Sequence, residues 1–261
     1  MVMNHNMLAD EGKKSYRLEM NQFADMTSAE MVQNTPLMSW DVQGLPVKVS
    51  KEENMSIPKE VDWRTKNCVT EVKQQGNCHS CWAFSTVGAV ESRYCVKHHY
   101  RYSFSVQQLV DCDEKNCGCR PGYPDYAYQY IEANGLMKEN DYPYKAEEGK
   151  CLYNKSHAIP INISCIAHVN RQDIAGDVSK YGPTSAAISL GNDIHLYKNG
   201  VYENRNCNKE KVSHAIIIDG YGPDYWIVRN SWGKQWGIRG YMLLKRNLCH
   251  IEDHVLSVYL K

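Results

Sequence analysis

The chain lacks net charge: 30 Lys and Arg stand against 30 Asp and Glu in 261 residues. Such a balance creates no field toward a polyanion, so nucleic acid and an acidic membrane surface are excluded as partners on charge. It also lacks any apolar run approaching the roughly 20 residues of a membrane span, so no membrane association is expected. No internal repeat or low-complexity tract occurs. A secretory leader is missing at the start, because Met1-Val2-Met3-Asn4-His5 has neither a basic n-region nor an apolar h-region. Taken literally, that predicts a cytosolic chain. Phenylalanine is scarce, 3 residues against 18 tyrosines, and we have no physical account of it.

Cysteine is plentiful. Eleven cysteines point to an oxidising compartment, against the literal reading of the first residues. The sequons at Asn54, Asn154 and Asn162 agree with secretion and are candidate glycosylation sites. Zinc is the competing use of cysteine, through Cys78-x-x-Cys81 and Cys117-x-Cys119. A tetrahedral site needs a second matched pair, and Cys81 is claimed by a helix start. No metal and no cofactor are therefore expected.

The chemistry gathers in Gln75-Gly76-Asn77-Cys78-His79-Ser80-Cys81-Trp82-Ala83-Phe84-Ser85. A tight turn at Gly76 leads to Ser80, and an apolar run then begins whose spacing predicts a buried helix from Cys81 to about Val96. A thiol in the first turn of a helix meets unpaired N–H groups that favour an anion. Beside an imidazolium it is driven toward thiolate, which makes it a nucleophile. A cysteine at a helix start is more often a half-cystine or buried thiol, so this pattern alone does not decide. Two stretches downstream weigh on it. Ser213-His214-Ala215-Ile216-Ile217-Ile218 places a histidine at the head of a strand-like run, and Tyr225-Trp226-Ile227-Val228-Arg229-Asn230-Ser231-Trp232-Gly233 places an asparagine at a strand end.

With those residues the chain resembles the papain-like cysteine proteases, cathepsin L-like in detail, over nearly its whole length. His214 and Asn230 fall in the window of roughly 130–150 residues beyond the cysteine that marks the family. Before Ser164 the patterns are helical: Ser105 caps a short helix through Cys112, and Tyr126 to Asn134 forms another, stopped by Gly135. Beyond it come short β-type runs at 185–189, 200–202, 214–219, 225–230, 240–244 and 255–260. Helices followed by strands give an α+β class. The resemblance implies a helical left domain, mostly 57–163, and an antiparallel β-barrel right domain, mostly 164–261, with the cleft between them.

The resemblance also assigns roles. Cys81 attacks the peptide carbonyl, His214 moves the proton, and Asn230 orients the ring under a covering Trp232. Gln75 and the Cys81 N–H form the oxyanion hole. Tyr123, Pro124, Ala187, Val212 and His254 line the S2 pocket, with Gly122 and Ser213 as further substrate contacts. Cys78–Cys119, Cys112–Cys151 and Cys207–Cys249 are the implied disulfides, and Cys68, Cys95, Cys117 and Cys165 are left unassigned. Leu18 to Thr27 resembles the Asn-x-Phe-x-Asp signature of an inhibitory pro-segment, here Asn21-Gln22-Phe23-Ala24-Asp25, with Asp25 as a carboxylate that acid would neutralise. Thr27-Ser28-Ala29-Glu30 reads as a capped helix start, and 33–56 as a cleavable linker. Ile57-Pro58-Lys59-Glu60-Val61-Asp62-Trp63-Arg64 resembles the start of a mature enzyme, which makes 1–56 the end of a pro-segment and linker.

The expected product is thus a zymogen of a cysteine endopeptidase, secreted or lysosomal and monomeric. It acts on proteins or peptides and is held by its own pro-segment or by cystatin-type inhibitors. No long insertion between Cys112 and Tyr128 resembles an exopeptidase's occluding loop. Two departures favour the alternative, a catalytically weak homologue acting as a binding or antigenic protein. His79 stands where relatives carry Gly, a residue that tolerates positive φ. Arg120-Pro121-Gly122 replaces the usual Asn-Gly-Gly, and Pro121 removes a donor. A free-standing inhibitor is excluded because the catalytic portion is attached.

Overall fold

A computed structural model describes residues 1–26, 30, 45–48 and 56–261. The Asn54 sequon, Thr27-Ser28-Ala29 and most of the linker lie outside the described residues. In chain order the elements are α1 (Val2–Asp10), β1 (Tyr16–Leu18), β2 (Val47–Lys48), β3 (Val61–Asp62), α2 (Cys81–His98), α3 (Val106–Cys112) and α4 (Pro124–Asn134). There follow β4 (Ile163–Val169), α5 (Ile174–Tyr181), β5 (Thr184–Ser189), β6 (Tyr197–Tyr202), β7 (Val212–Tyr221), β8 (Tyr225–Arg229), β9 (Tyr241–Lys245) and β10 (Val255–Leu260).

Helix α2 is the axis of the first half. A helix apolar on every side must be buried, and Cys81 through Ser92 are all buried. Its two enclosed charges are paired. Glu91 accepts from Lys73 Nζ at 3.0 Å and from the Phe104 N–H at 2.7 Å, while Arg93 meets Asp177 and donates to the Val258 carbonyl at 2.8 Å. The cap of α3 is the expected one, with Ser105 Oγ accepting from the Gln108 N–H at 3.0 Å. Helix α4 starts two residues earlier than the pattern indicated, at Pro124, because proline's fixed φ suits the first helical position.

The strands form one mostly antiparallel sheet in the order β1-β6-β9-β8-β7-β5-β10-β4-β2, with β3 paired to β7. This is the α+β architecture expected, with two pairings parallel rather than antiparallel, β6 with β9 and β2 with β4. The period of two along a strand divides the interior. Ala186, Ile188, Ile216, Ile218 and Val255 enter one core with Trp226 and Trp236, whereas Ala187, Ala215, Leu256 and Val258 face Trp82 and Phe84 of α2. Strand β4, helix α5 and the short strands β1, β2 and β3 were not visible in the sequence patterns.

Both ends of the sheet are covered by the first 48 residues. Strand β1 pairs antiparallel with β6, and β2 pairs with β4. Edge strands carry unsatisfied backbone groups, and here the N-terminal segment satisfies them. Four disulfides form: Cys68–Cys95, Cys78–Cys119, Cys112–Cys151 and Cys207–Cys249. The first is one the sequence left unpaired. Cys81, Cys117 and Cys165 carry no disulfide.

Candidate active site

Cys81 is the first residue of α2, and the Ala83 and Phe84 N–H groups both donate to the Ser80 carbonyl. The thiol therefore sits where the helix has its unpaired N–H groups. On β7 the Ala215 N–H approaches the sulfur, which brings the preceding residue, His214, to the same place. His214 Nε2 meets Asn230 Oδ1 at 2.8 Å, and the Ser231 N–H donates to that oxygen at 2.8 Å. Two donors on one oxygen fix the amide's orientation, and the ring's N–H is then on Nε2. Among the described residues His214 Nδ1 has no hydrogen-bond partner. Trp232 lies over the imidazole, ring centroids 4.9 Å apart and 30° between planes.

The network continues to Gln75. The Gln75 N–H donates to the Ser231 carbonyl at 2.8 Å, and Ser231 Oγ donates to Gln75 Oε1 at 2.6 Å. That assignment makes Nε2 the outward donor, and one of its hydrogens reaches the Cys78 carbonyl at 3.1 Å. Tyr144 ties the same turn together: its hydroxyl donates to the Gln75 carbonyl at 2.8 Å and lies 2.7 Å from Ser80 Oγ. Gly76 makes the turn with φ +61°. Ser231 and Tyr144 were missed in the sequence. Ser231 had a signal, its place between Asn230 and Trp232, whereas Tyr144 is 63 positions from Cys81 and had none.

The electrostatics run against the thiolate expected from the helix start. Cys81 is 4 % exposed and His214 0 %. Burial pushes the Cys81 thiol up from 9.0 to about 11, against the backbone amides of Ala215 and Trp82. Burial likewise pushes His214 down from 6.5 to about 4, opposed only by its bond to Asn230. In this enclosed state burial favours the neutral thiol and the neutral imidazole, because desolvation outweighs a helix terminus.

The N-terminal segment lies against this site. Glu19 N–H donates to the Leu196 carbonyl at 2.8 Å, and Asn21 Nδ2 to the His195 carbonyl at 2.8 Å. Gln22 Nε2 donates to the Trp232 carbonyl at 3.1 Å, and the Phe23 ring stands edge-on to Trp232, centroids 5.6 Å apart. Asp25 is exposed and has no ion pair among the described residues. The buried carboxylate of this interface is Asp193, which accepts from Tyr16 and Tyr202 hydroxyls, each at 2.6 Å.

The substrate-side residues form two groups. Ala187 and Val212 share the apolar cluster of Trp82 and Ala127. Ala187 N–H donates to the His254 carbonyl at 3.0 Å, and Ser213 is buried beside His214. Tyr123 and Pro124 open α4 on the other wall. Between them and α2 lies Gly122, where an added Cβ would stand 2.6 Å from Trp82 Cδ2, so only glycine fits. Asn116, not foreseen, holds this wall. It is buried, its Oδ1 accepts from the Tyr123 N–H at 2.6 Å, and its Nδ2 donates to the Tyr123 carbonyl at 3.2 Å and to Asp113 at 2.7 Å. His79 is not in the positive-φ region, so the departure from glycine costs no backbone strain there. Of the described sequons, Asn154 is exposed with its Oδ1 accepting from the Ser156 N–H, and Asn162 is exposed before β4.

Residues 57–259 match the family model described as papain family cysteine protease, and residues 1–31 match the cathepsin propeptide inhibitor domain. The chain is 38 % identical over 262 residues to a cathepsin L-like proteinase of Fasciola hepatica, covering 94 % of this chain and 78 % of that one. It is 37 % identical over 261 residues to procathepsin L of Rattus norvegicus, covering 95 % and 78 %. Among solved structures it is similar to digestive procathepsin L 3 of Tenebrio molitor larval midgut, with TM-score 0.90, 33 % identity, and coverage of 99 % of this chain and 88 % of that one.

Proposed function

Because the chain belongs to the papain family of cysteine proteases and carries the family's inhibitory pro-segment, we propose that it is the zymogen of an endopeptidase with Cys81 as nucleophile. The observation that carries this is the fixed imidazole. With Nε2–H held by Asn230 at 2.8 Å, the Nδ1 lone pair is left open on a ring whose neighbour, Ala215, reaches the sulfur. Nδ1 takes the thiol proton, the thiolate attacks the peptide carbonyl carbon, the C–N bond breaks as the proton passes to the leaving amine, and water then hydrolyses the Cys81 thioester. Asn230 orients the ring without adding a second negative charge, and Trp232 keeps water from their bond. The oxyanion is received by the Cys81 N–H and the second Nε2 hydrogen of Gln75.

Ala187, Val212, Tyr123 and Pro124, with His254 at the base, form an S2 pocket that favours an apolar P2 side chain by burial. The pro-segment and linker end near residue 56, a helical lobe spans about 57–163, and a sheet lobe follows to the end. Four disulfides support a secreted or lysosomal site of action. The enzyme acts as a monomer and is open to cystatin-type inhibitors once its pro-segment leaves.

The test is Cys81→Ala in the acid-activated chain. Peptide hydrolysis falls below about one-thousandth of wild type while circular dichroism and thermal stability are retained. Turnover above that level removes Cys81 from the mechanism.

A further inference from the structure

Resting on the reading of Cys81 as nucleophile, we infer that Arg120 makes this peptidase select an acidic side chain at P1, the residue whose carbonyl is attacked. The loop from Cys117 to Gly122 is bound to the residues just before the nucleophile. Cys119 is joined to Cys78, and the Cys119 carbonyl accepts from the His79 N–H at 3.2 Å. The Arg120 N–H donates to the Cys117 carbonyl at 3.0 Å, which turns the chain back at this point. Downstream, Gly122 is pressed against Trp82, the neighbour of Cys81. Arg120 is therefore rooted on the lip of the cleft, between the anchor beside His79 and the anchor on Trp82.

Its guanidinium is exposed, and among the described residues it has neither a hydrogen bond nor an ion pair. The other charges of this wall leave it so. Lys115 is bound to Gln129, Asp113 to Asn116, and Glu148 lies over Gly118 without pairing with Arg120. His79, half-buried, is the other basic side chain here.

An extended peptide decides which side chain meets this cation. Asn116 occupies both backbone groups of Tyr123, so the Gly122 N–H and carbonyl are the ones left to pair with a substrate main chain. Side chains of an extended chain alternate. If P2 enters the apolar pocket of Ala187 and Val212, P1 points to the opposite wall. P1 carries the carbonyl carbon that Sγ attacks, and the wall joined to the residues just before Cys81 is His79 with the Cys119–Arg120 step. A carboxylate there meets an unpaired guanidinium, which binds carboxylates through two N–H donors.

The experiment uses the full chain activated by acid and fluorogenic peptides with Leu at P2 and either Glu or Gln at P1. They are assayed at about pH 6, where a Glu side chain is ionised. The quantity read is the Glu/Gln ratio of kcat/KM. An exposed pair of this kind gives a ratio of about two to five at low ionic strength, falling toward one in about 1 M salt. Arg120→Ala brings the ratio to one, and Arg120→Glu takes it below one. The same ratio in all three proteins overturns the proposal, as does an acidic preference that appears at P3 alone. Failure of wild type to cleave either peptide, or any peptide with an apolar P2, refutes the endopeptidase reading instead.

Discussion

The enclosed thiol sets a quantitative expectation. In the intact chain the Cys81 thiol is pushed up from 9.0 to about 11. That rise lowers its thiolate population about a hundredfold at neutral pH. His214, pushed down to about 4, supplies no imidazolium to hold the thiolate; at pH 7 only about one ring in a thousand is protonated. Burial is the largest cause of both shifts, and the segment rests on Trp232, the ring that covers His214, so its removal should relax both together. The exposed thiol of Cys117 is an internal reference. Treated with iodoacetamide at pH 7 and read peptide by peptide in a mass spectrometer, the full chain alkylates Cys117 first, with Cys81 slower by at least about tenfold. After removal of residues 1–56 the order inverts. Between pH 7 and 9 the Cys81 rate in the full chain climbs about tenfold per pH unit, as a thiolate population below its pKa does; a thiolate already formed and merely covered leaves it flat. Faster alkylation of Cys81 than of Cys117 in the intact chain at pH 7 refutes the reasoning.

Three further outcomes are expected. Burial acts to raise Glu203, but hydrogen bonds from Ser15 and Lys245 outweigh it and hold it below 4.5; its stabilisation of the docked segment is thus present above that value and lost as pH falls through the lowered one. Glu203→Gln should flatten the acid end of the release profile, measured as activity appearing between about pH 3 and pH 7, and an unchanged profile removes Glu203 from the latch. Burial also lowers His254, opposed by Asp253, so the imidazole stays neutral below its ordinary 6.5 and the P2 preference for Leu over Glu persists below that pH. His254→Leu should abolish any gain of P2 Glu in acid, and identical P2 profiles for both proteins would exclude His254 from the pocket. Asn116→Ala strands the Tyr123 N–H, while its carbonyl keeps the Ala127 N–H, so KM should rise about tenfold with a smaller loss of kcat; a fall in kcat with KM unchanged contradicts the assignment.

What could be read beforehand was local or periodic. The helix from Cys81 shows in its apolar spacing, the strands from β5 onward in their alternation, and the Ser105 cap in one residue type. Tyr144 and Asn116 act over long stretches of chain, and their tyrosine and asparagine look the same in any loop. Strand β1 is three residues long and exists because β6 offers an edge, a condition that residues 16–18 do not announce. Cys68–Cys95 illustrates the same limit, since pairing needs two Cβ atoms brought together by the fold.

The helix start and burial act on the thiol in opposite directions. A helix terminus is a local feature, worth under about 1 kcal/mol at an exposed position, and it can be inferred from where the helix starts. Desolvation depends on everything the fold packs around the sulfur, and it outweighs even the amides of Ala215 and Trp82, which favour the anion. The two effects oppose, and the nonlocal one wins while the site is enclosed. The same residues then serve two states. Asn230 and Trp232 hold the imidazole ready in both. Trp232 is also the surface on which the N-terminal segment rests, through the Phe23 ring and the Gln22 amide. Latency thus need not displace any group of the His214–Asn230–Ser231–Gln75 network. Exposing the thiol and imidazole to water on release should therefore favour their ion pair without rebuilding the site.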